Sequence, residues 1–73
     1  MAHPLDPITL RLFLAVAERR SMARAAEHEH ITTAAISRRI LDLEARVGVQ
    51  LLDRSSAGVR PTAAGLALVE EAT

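Results

Sequence analysis

Thr33, Ala34, Ser37 and Arg38 have the types and the spacing to touch the edges of DNA bases. They fall on one side of a helix whose other side is marked by Ile36, Ile40, Leu43 and Val47, apolar residues recurring at i, i+4, i+7 and i+11. At roughly 100° per residue the side opposite that stripe shows Ala34, Arg38, Leu41 and Ala45, with Ser37 on the flank. An arginine in that position suits the paired acceptors of guanine, or a phosphate. Serine and threonine hydroxyls bond to either, and alanine permits close approach to a thymine methyl. Thr32 belongs with this group as the residue before the helix. Ser21 and Arg24, at the start of the preceding helix, and Arg54 and Arg60, further along, are additional candidates for contact with DNA. Three of these have a plainer alternative: Ser21 as a helix cap, Arg24 as a solvated surface residue, Arg54 as the partner of Asp53 or Glu44.

Other chemistries find little support. His28 and His30 are two residues apart, so on a helix they point about 200° from each other and do not share a metal ion easily. Glu27 and Glu29 have the same difficulty as a catalytic carboxylate pair. The sequence has no cysteine, which excludes thiolate metal sites and disulfides. It has no glycine-rich phosphate loop and no nucleophile elbow. The expectation is a protein without enzymatic activity, metal or cofactor.

The elements that must position these residues are short helices. Asp6 reads as a cap and Pro7 as the first position of helix one, with Leu5 and Leu10 spaced as a hydrophobic staple across that cap. Leu10, Phe13, Leu14, Val16 and Ala17 supply its apolar face, and Arg19-Arg20 close it. Ser21 caps a second helix over 22–28, where Ala25 and Ala26 allow another backbone to come close. Glu29-His30-Ile31 reads as a turn, with Ile31 plugging the core. Thr32 or Thr33 caps the third helix, which Gly48 stops in a left-handed conformation. Residues 49–54 and 59–61 read as two short strands joined by Ser55-Ser56-Ala57-Gly58. Thr62 caps a last helix carrying Leu66, Leu68 and Val69, whose end at Glu70-Glu71 lacks a glycine stop. A short helix, a tight turn and a longer capped helix make a helix-turn-helix, whose second helix enters the major groove.

Size and charge are compatible with this. A chain of 73 residues makes one small domain, which buries only about 60% of its unfolded surface. Aliphatic residues dominate, and Phe13 is the only aromatic. Net charge is zero, but between Arg19 and Arg60 eight arginines face five acids, a modest excess of positive charge. No basic leader followed by an apolar run and no membrane-length apolar segment is present, so a soluble cytoplasmic domain is expected.

Six fragments, in order and at matching spacing, bear a resemblance that extends over nearly the whole chain. They are Leu10 to Glu18, Ser21-Met22-Ala23-Arg24-Ala25-Ala26, Ala35-Ile36-Ser37-Arg38-Arg39-Ile40, Leu43-Glu44, Gly48 to Arg54, and Thr62-Ala63-Ala64-Gly65. Together they resemble the N-terminal domain of LysR-type bacterial transcription regulators. That resemblance implies a mostly α fold, a winged helix-turn-helix with a three-helix core, a short two-stranded wing and the start of a linker helix. It places the DNA-binding domain at 1–61 and the start of a linker and dimerisation helix at 62–73. The recognition helix, about 33–47, would lie in the major groove, and the wing, about 51–61, on the backbone or minor groove. The implied function is sequence-specific binding to double-stranded DNA in transcription control, as a homodimer joined through Leu66, Leu68 and Val69. Weak pairing is expected, because that helix ends within about three turns. The effector-binding domain of the family has no room in this chain. The sequence departs from the family at Thr32-Thr33-Ala34, where a serine-glutamine pair is usual, and at Glu29, Leu41 and Ala57, which bears on affinity and site preference. The alternative from another class is a protein-interaction module that pairs through the last helix without strong DNA binding.

Overall fold

Hydroxyl side chains set the starts of three of the four helices. The computed structural model describes residues 7–55 and 57–72, and the expected Asp6 cap, the Leu5 half of the staple and Ser56 of the hairpin lie outside them. Helix α1 (Pro7–Arg19) has proline at its first position, where a missing N–H costs nothing. Helix α2 (Met22–His28) is capped by Ser21, whose Oγ accepts from the Arg24 amide at 3.1 Å. Helix α3 (Thr33–Val47) is capped by Thr32 rather than Thr33, its Oγ1 accepting from the Ala35 amide at 3.0 Å. Strands β1 (Leu52–Ser55) and β2 (Gly58–Pro61) pair antiparallel, and α4 (Ala63–Ala72) follows. Its cap is Thr62, whose Oγ1 accepts from the Gly65 amide at 3.1 Å and donates to the Gln50 carbonyl at 2.7 Å.

The stops are equally local. Between α2 and α3 the chain forms a double hydrogen-bonded helix stop. The Ile31 amide reaches back to the Ala26 carbonyl at 3.0 Å and the His30 amide to that of Glu27 at 3.2 Å, with His30 left-handed at φ 60°. Histidine tolerates that region better than a β-branched residue would. Gly48 ends α3 at φ 76°, as the sequence predicts. Arg20, at φ 55°, ends α1, and its carbonyl accepts from the Val59 amide at 3.3 Å, which ties the wing to the turn between α1 and α2.

The core lies where α1, α2, α3 and the wing meet. Phe13, Val16, Ala25, Ile36 and Ile40 are fully enclosed, joined by Leu43, Leu51 and Leu52. Ala25 and Ala26 are buried as expected of small residues at a helix crossing. Four expectations are corrected. The deep side of α1 carries Thr9, Leu12, Phe13, Ala15 and Val16, whereas Leu10, Leu14 and Ala17 are half-buried. The helix is packed by α2 and α3 on one flank and by β2 and α4 on the other, which turns Leu14 and Ala17 toward the latter. Val47 leaves the buried stripe of α3, because it is the last residue before Gly48 redirects the chain. Ile31 does not plug the core and is 37% exposed, its amide being committed to the stop of α2. The hairpin loop is shorter than four residues, since Ser55 pairs with Gly58, and β1 begins only at Leu52.

Glu44 explains that late start. Its Oε2 accepts from the amides of Leu51 at 2.7 Å and Leu52 at 3.0 Å. The segment 49–51 is thus drawn onto the end of α3 before pairing begins. The Leu51 carbonyl then accepts from the Thr62 amide at 2.9 Å. A Cβ on Gly65 would collide with the same carbonyl oxygen, so only glycine lets α4 sit this close to the turn. Among the described residues no helix is long and apolar enough to cross a membrane.

Candidate nucleic-acid interface

Helix α3 is anchored by Ile36, Ile40 and Leu43, and its opposite side is open, as the stripe requires. Thr33, Ala34, Arg38, Leu41 and Ala45 are exposed, and Ser37 is half-buried on the flank. Ala34, Ser37, Arg38, Leu41 and Asp42 line a shallow depression there. The two adjacent arginines take different roles. Arg39 points back to α1, its Nη1 donating to the buried Thr9 Oγ1 at 3.4 Å. Arg38 makes no ion pair or side-chain hydrogen bond among the described residues, so all of its donors remain available.

Ser21 and Thr32 use one lone pair each as caps, which leaves their hydroxyl protons free to donate. Arg24 is exposed beside Arg19, Glu27 and His28. On the wing, the strand register separates the two candidate arginines. Arg54 stands opposite Val59 and Arg60 opposite Asp53, so by alternation they project from opposite faces of the hairpin. Both are exposed, but Arg60 shares its face with a carboxylate. Neither Asp53 nor Glu44 forms an ion pair with Arg54 among the described residues.

Glu29 is paired through both of its carboxylate oxygens. Its Oε1 pairs with Arg11 Nε and its Oε2 with His28 Nδ1, both at 2.9 Å, and only 8% of its side chain is exposed. The hydrogen bond from His28, with the charges of Arg11 and His28, outweighs the loss of water and holds the carboxyl below the usual carboxylate range. The pair ties the end of α2 to α1, so an acid at this position is compensated rather than presented to a polyanion. Among the described residues no group of three or more potential ligands is placed to hold a metal ion.

The three residues expected to join two copies divide. Leu66 is 53% exposed. Leu68 and Val69 pack against the core of their own chain, because α4 lies back on β2 and α1. Leu14, Ala17, Pro61, Leu66 and Val69 line an apolar groove between these elements, edged by Glu18 and Arg20. Glu44, Arg39 and the Arg11–Glu29 pair are the supports that sequence reasoning missed. The only signal for Glu44 was the Leu-Glu pair within the family resemblance.

Comparison with known proteins gives a consistent result. Residues 8–66 match the family model described as bacterial regulatory helix-turn-helix protein, lysR family. The chain is 50% identical over 68 residues to the HTH-type transcriptional activator AllS of Klebsiella pneumoniae, covering 93% of this chain and 25% of that protein. It is 48% identical over 63 residues to the HTH-type transcriptional regulator TcbR of Pseudomonas sp. strain P51, covering 86% of this chain and 21% of that one. Among solved structures it is similar to the DNA-binding domain of CbnR in complex with DNA, with a TM-score of 0.88 and 44% identity over 93% of this chain and 78% of that one. The chain thus spans about a quarter or less of the length of AllS and TcbR.

Proposed function

This chain belongs to the lysR family of bacterial regulatory helix-turn-helix proteins, and from that premise we propose that it binds double-stranded DNA sequence-specifically in the control of transcription. One observation carries the reading: Arg38 stands exposed and uncommitted on the open side of α3, the second helix of a helix-turn-helix whose first residues contact base edges. Thr33, Ala34 and Ser37 share that side, and Ser21, Thr32, Arg24, Arg54 and Arg60 supply contacts to the backbone that position it. Residues 1–61 act as the DNA-binding domain in the cytoplasm, and 62–73 begin the helix that joins two copies. The similarity to a domain solved with DNA favours this reading over a protein-interaction module.

Arg38→Ala tests it. The residue is exposed, so the variant keeps the melting temperature of the parent. Its affinity for a duplex chosen from random sequences falls by about 1–3 kcal/mol, the worth of a bidentate base contact. Unchanged affinity would remove Arg38 from base reading. Substituting Arg54 or Arg60 instead weakens binding to all sequences about equally.

Two copies pair through α4 about a two-fold axis, which sets two α3 helices on half-sites about one DNA turn apart. Leu66 is the clean probe, because Leu68 and Val69 also support their own core. Sedimentation equilibrium is expected to show a concentration-dependent monomer–dimer equilibrium that Leu66→Glu shifts to monomer without lowering the melting temperature. A strict monomer at the highest soluble concentration, or a dimer indifferent to Leu66→Glu, contradicts the α4 interface.

A further inference from the structure

Leu41 is an aliphatic side chain that the core does not use. It is 50% exposed, whereas Leu43, two residues on, is 1% exposed. It lies three residues after Arg38, four after Ser37 and seven after Ala34, which puts all four on one stripe of α3. Helical side chains lean toward the N-terminus, so the Leu41 isobutyl group covers the turn that carries Ser37 and Arg38. The result is the depression lined by Ala34, Ser37, Arg38, Leu41 and Asp42. A carboxylate at its edge repels phosphates, so this part of α3 suits base edges rather than the backbone.

We propose that Leu41 forms a thymine-methyl site beside Arg38, through which α3 reads a thymine–guanine step. The inference rests on the reading of α3 as the helix in the major groove. The 5-methyl group is the only apolar group that a base presents there, and guanine presents the paired N7 and O6 acceptors that a guanidinium fits. In a 5′-TG-3′ step the two lie next to each other on one strand. A leucine one turn beyond an arginine spans the same distance. Asp42 accepts from the N4 amine of the cytosine paired with that guanine, which adds discrimination at the same step.

The experiment uses the duplex preferred in selection from random DNA and replaces its thymines one at a time by deoxyuridine, which removes the methyl group and keeps the hydrogen-bonding edge. Affinity is read by fluorescence anisotropy. At a thymine preceding guanine in each half-site, uracil is expected to weaken binding roughly fourfold, the worth of one buried methyl group. Leu41→Asn, whose melting temperature stays with the parent, is expected to bind thymine and uracil duplexes equally. A parent protein indifferent to uracil at every position, a Leu41→Asn variant that keeps the full thymine preference, or selected sites without a TG step would each overturn the proposal. Failure to bind any duplex while folded would instead defeat the DNA-binding reading, and this proposal with it.

Discussion

Ile40→Asp is expected to leave the chain unfolded. Ile40 is completely enclosed at the centre of α3, which packs on both α1 and α2. An aspartate there loses the buried aliphatic side chain and places a carboxylate among Phe13, Val16, Ile36 and Leu43, with no cation in the core cluster to meet it. Lost burial of this kind costs about 2–5 kcal/mol, and an unpaired buried charge several more. Small domains hold only about 5–15 kcal/mol in all, with short chains toward the low end. Circular dichroism should show loss of helix and no cooperative melting. Leu41→Asp, one residue on and half exposed, should melt as the parent does. A native-like transition for Ile40→Asp would mean that α3 is rotated about its axis, and with it every residue assigned to its open side.

Glu44→Ala is expected to be the most damaging change outside the apolar core. One carboxylate oxygen satisfies two amides, those of Leu51 and Leu52, and both residues are buried. Hydrogen bonds to a charged group contribute about 1.5–3 kcal/mol each, so losing both costs roughly 3 kcal/mol or more after partial relaxation. For a domain of this size each kcal/mol lowers the melting temperature by about 4–8 °C. The damage has a direction. Leu51 also carries the carbonyl that receives the Thr62 amide, so the wing and the start of α4 loosen together. Glu44→Gln keeps one acceptor and should recover part of the loss. A Glu44→Ala protein as stable as the parent would show that the wing holds its place without this link.

The sequence made the local devices legible. The Ser21 cap, the stop at Gly48, the Thr62 cap and the phase of α3 each depend on a few neighbouring residues with strong preferences, and the structure agrees on them apart from Val47 at the end of the α3 stripe. What lay beyond reach depends on contacts between elements distant in the chain. The face of α1 is decided by four partners at once, so its broad apolar surface, read alone, placed Leu10, Leu14 and Ala17 too deep. Glu29 read as an anomaly because Arg11, eighteen positions earlier, was not visible as its partner. Glu44 carried no periodic signal, and its role exists only because the chain turns back after Gly48. Residues exposed on α3 were legible from the stripe behind them, whereas the separation of Arg54 from Arg60 required the strand register.

The most direct measurement is electrophoretic retardation of a duplex chosen from random DNA, beside a scrambled duplex of the same composition, over a series of salt concentrations. The selected duplex should be retarded at lower protein concentration than the scrambled one. The logarithm of its affinity should fall linearly with the logarithm of salt, with a slope set by the number of phosphates the basic side chains neutralise. Equal retardation of the two duplexes, or none at low salt while circular dichroism shows a folded protein, would contradict the assignment of α3 as a helix that reads DNA sequence.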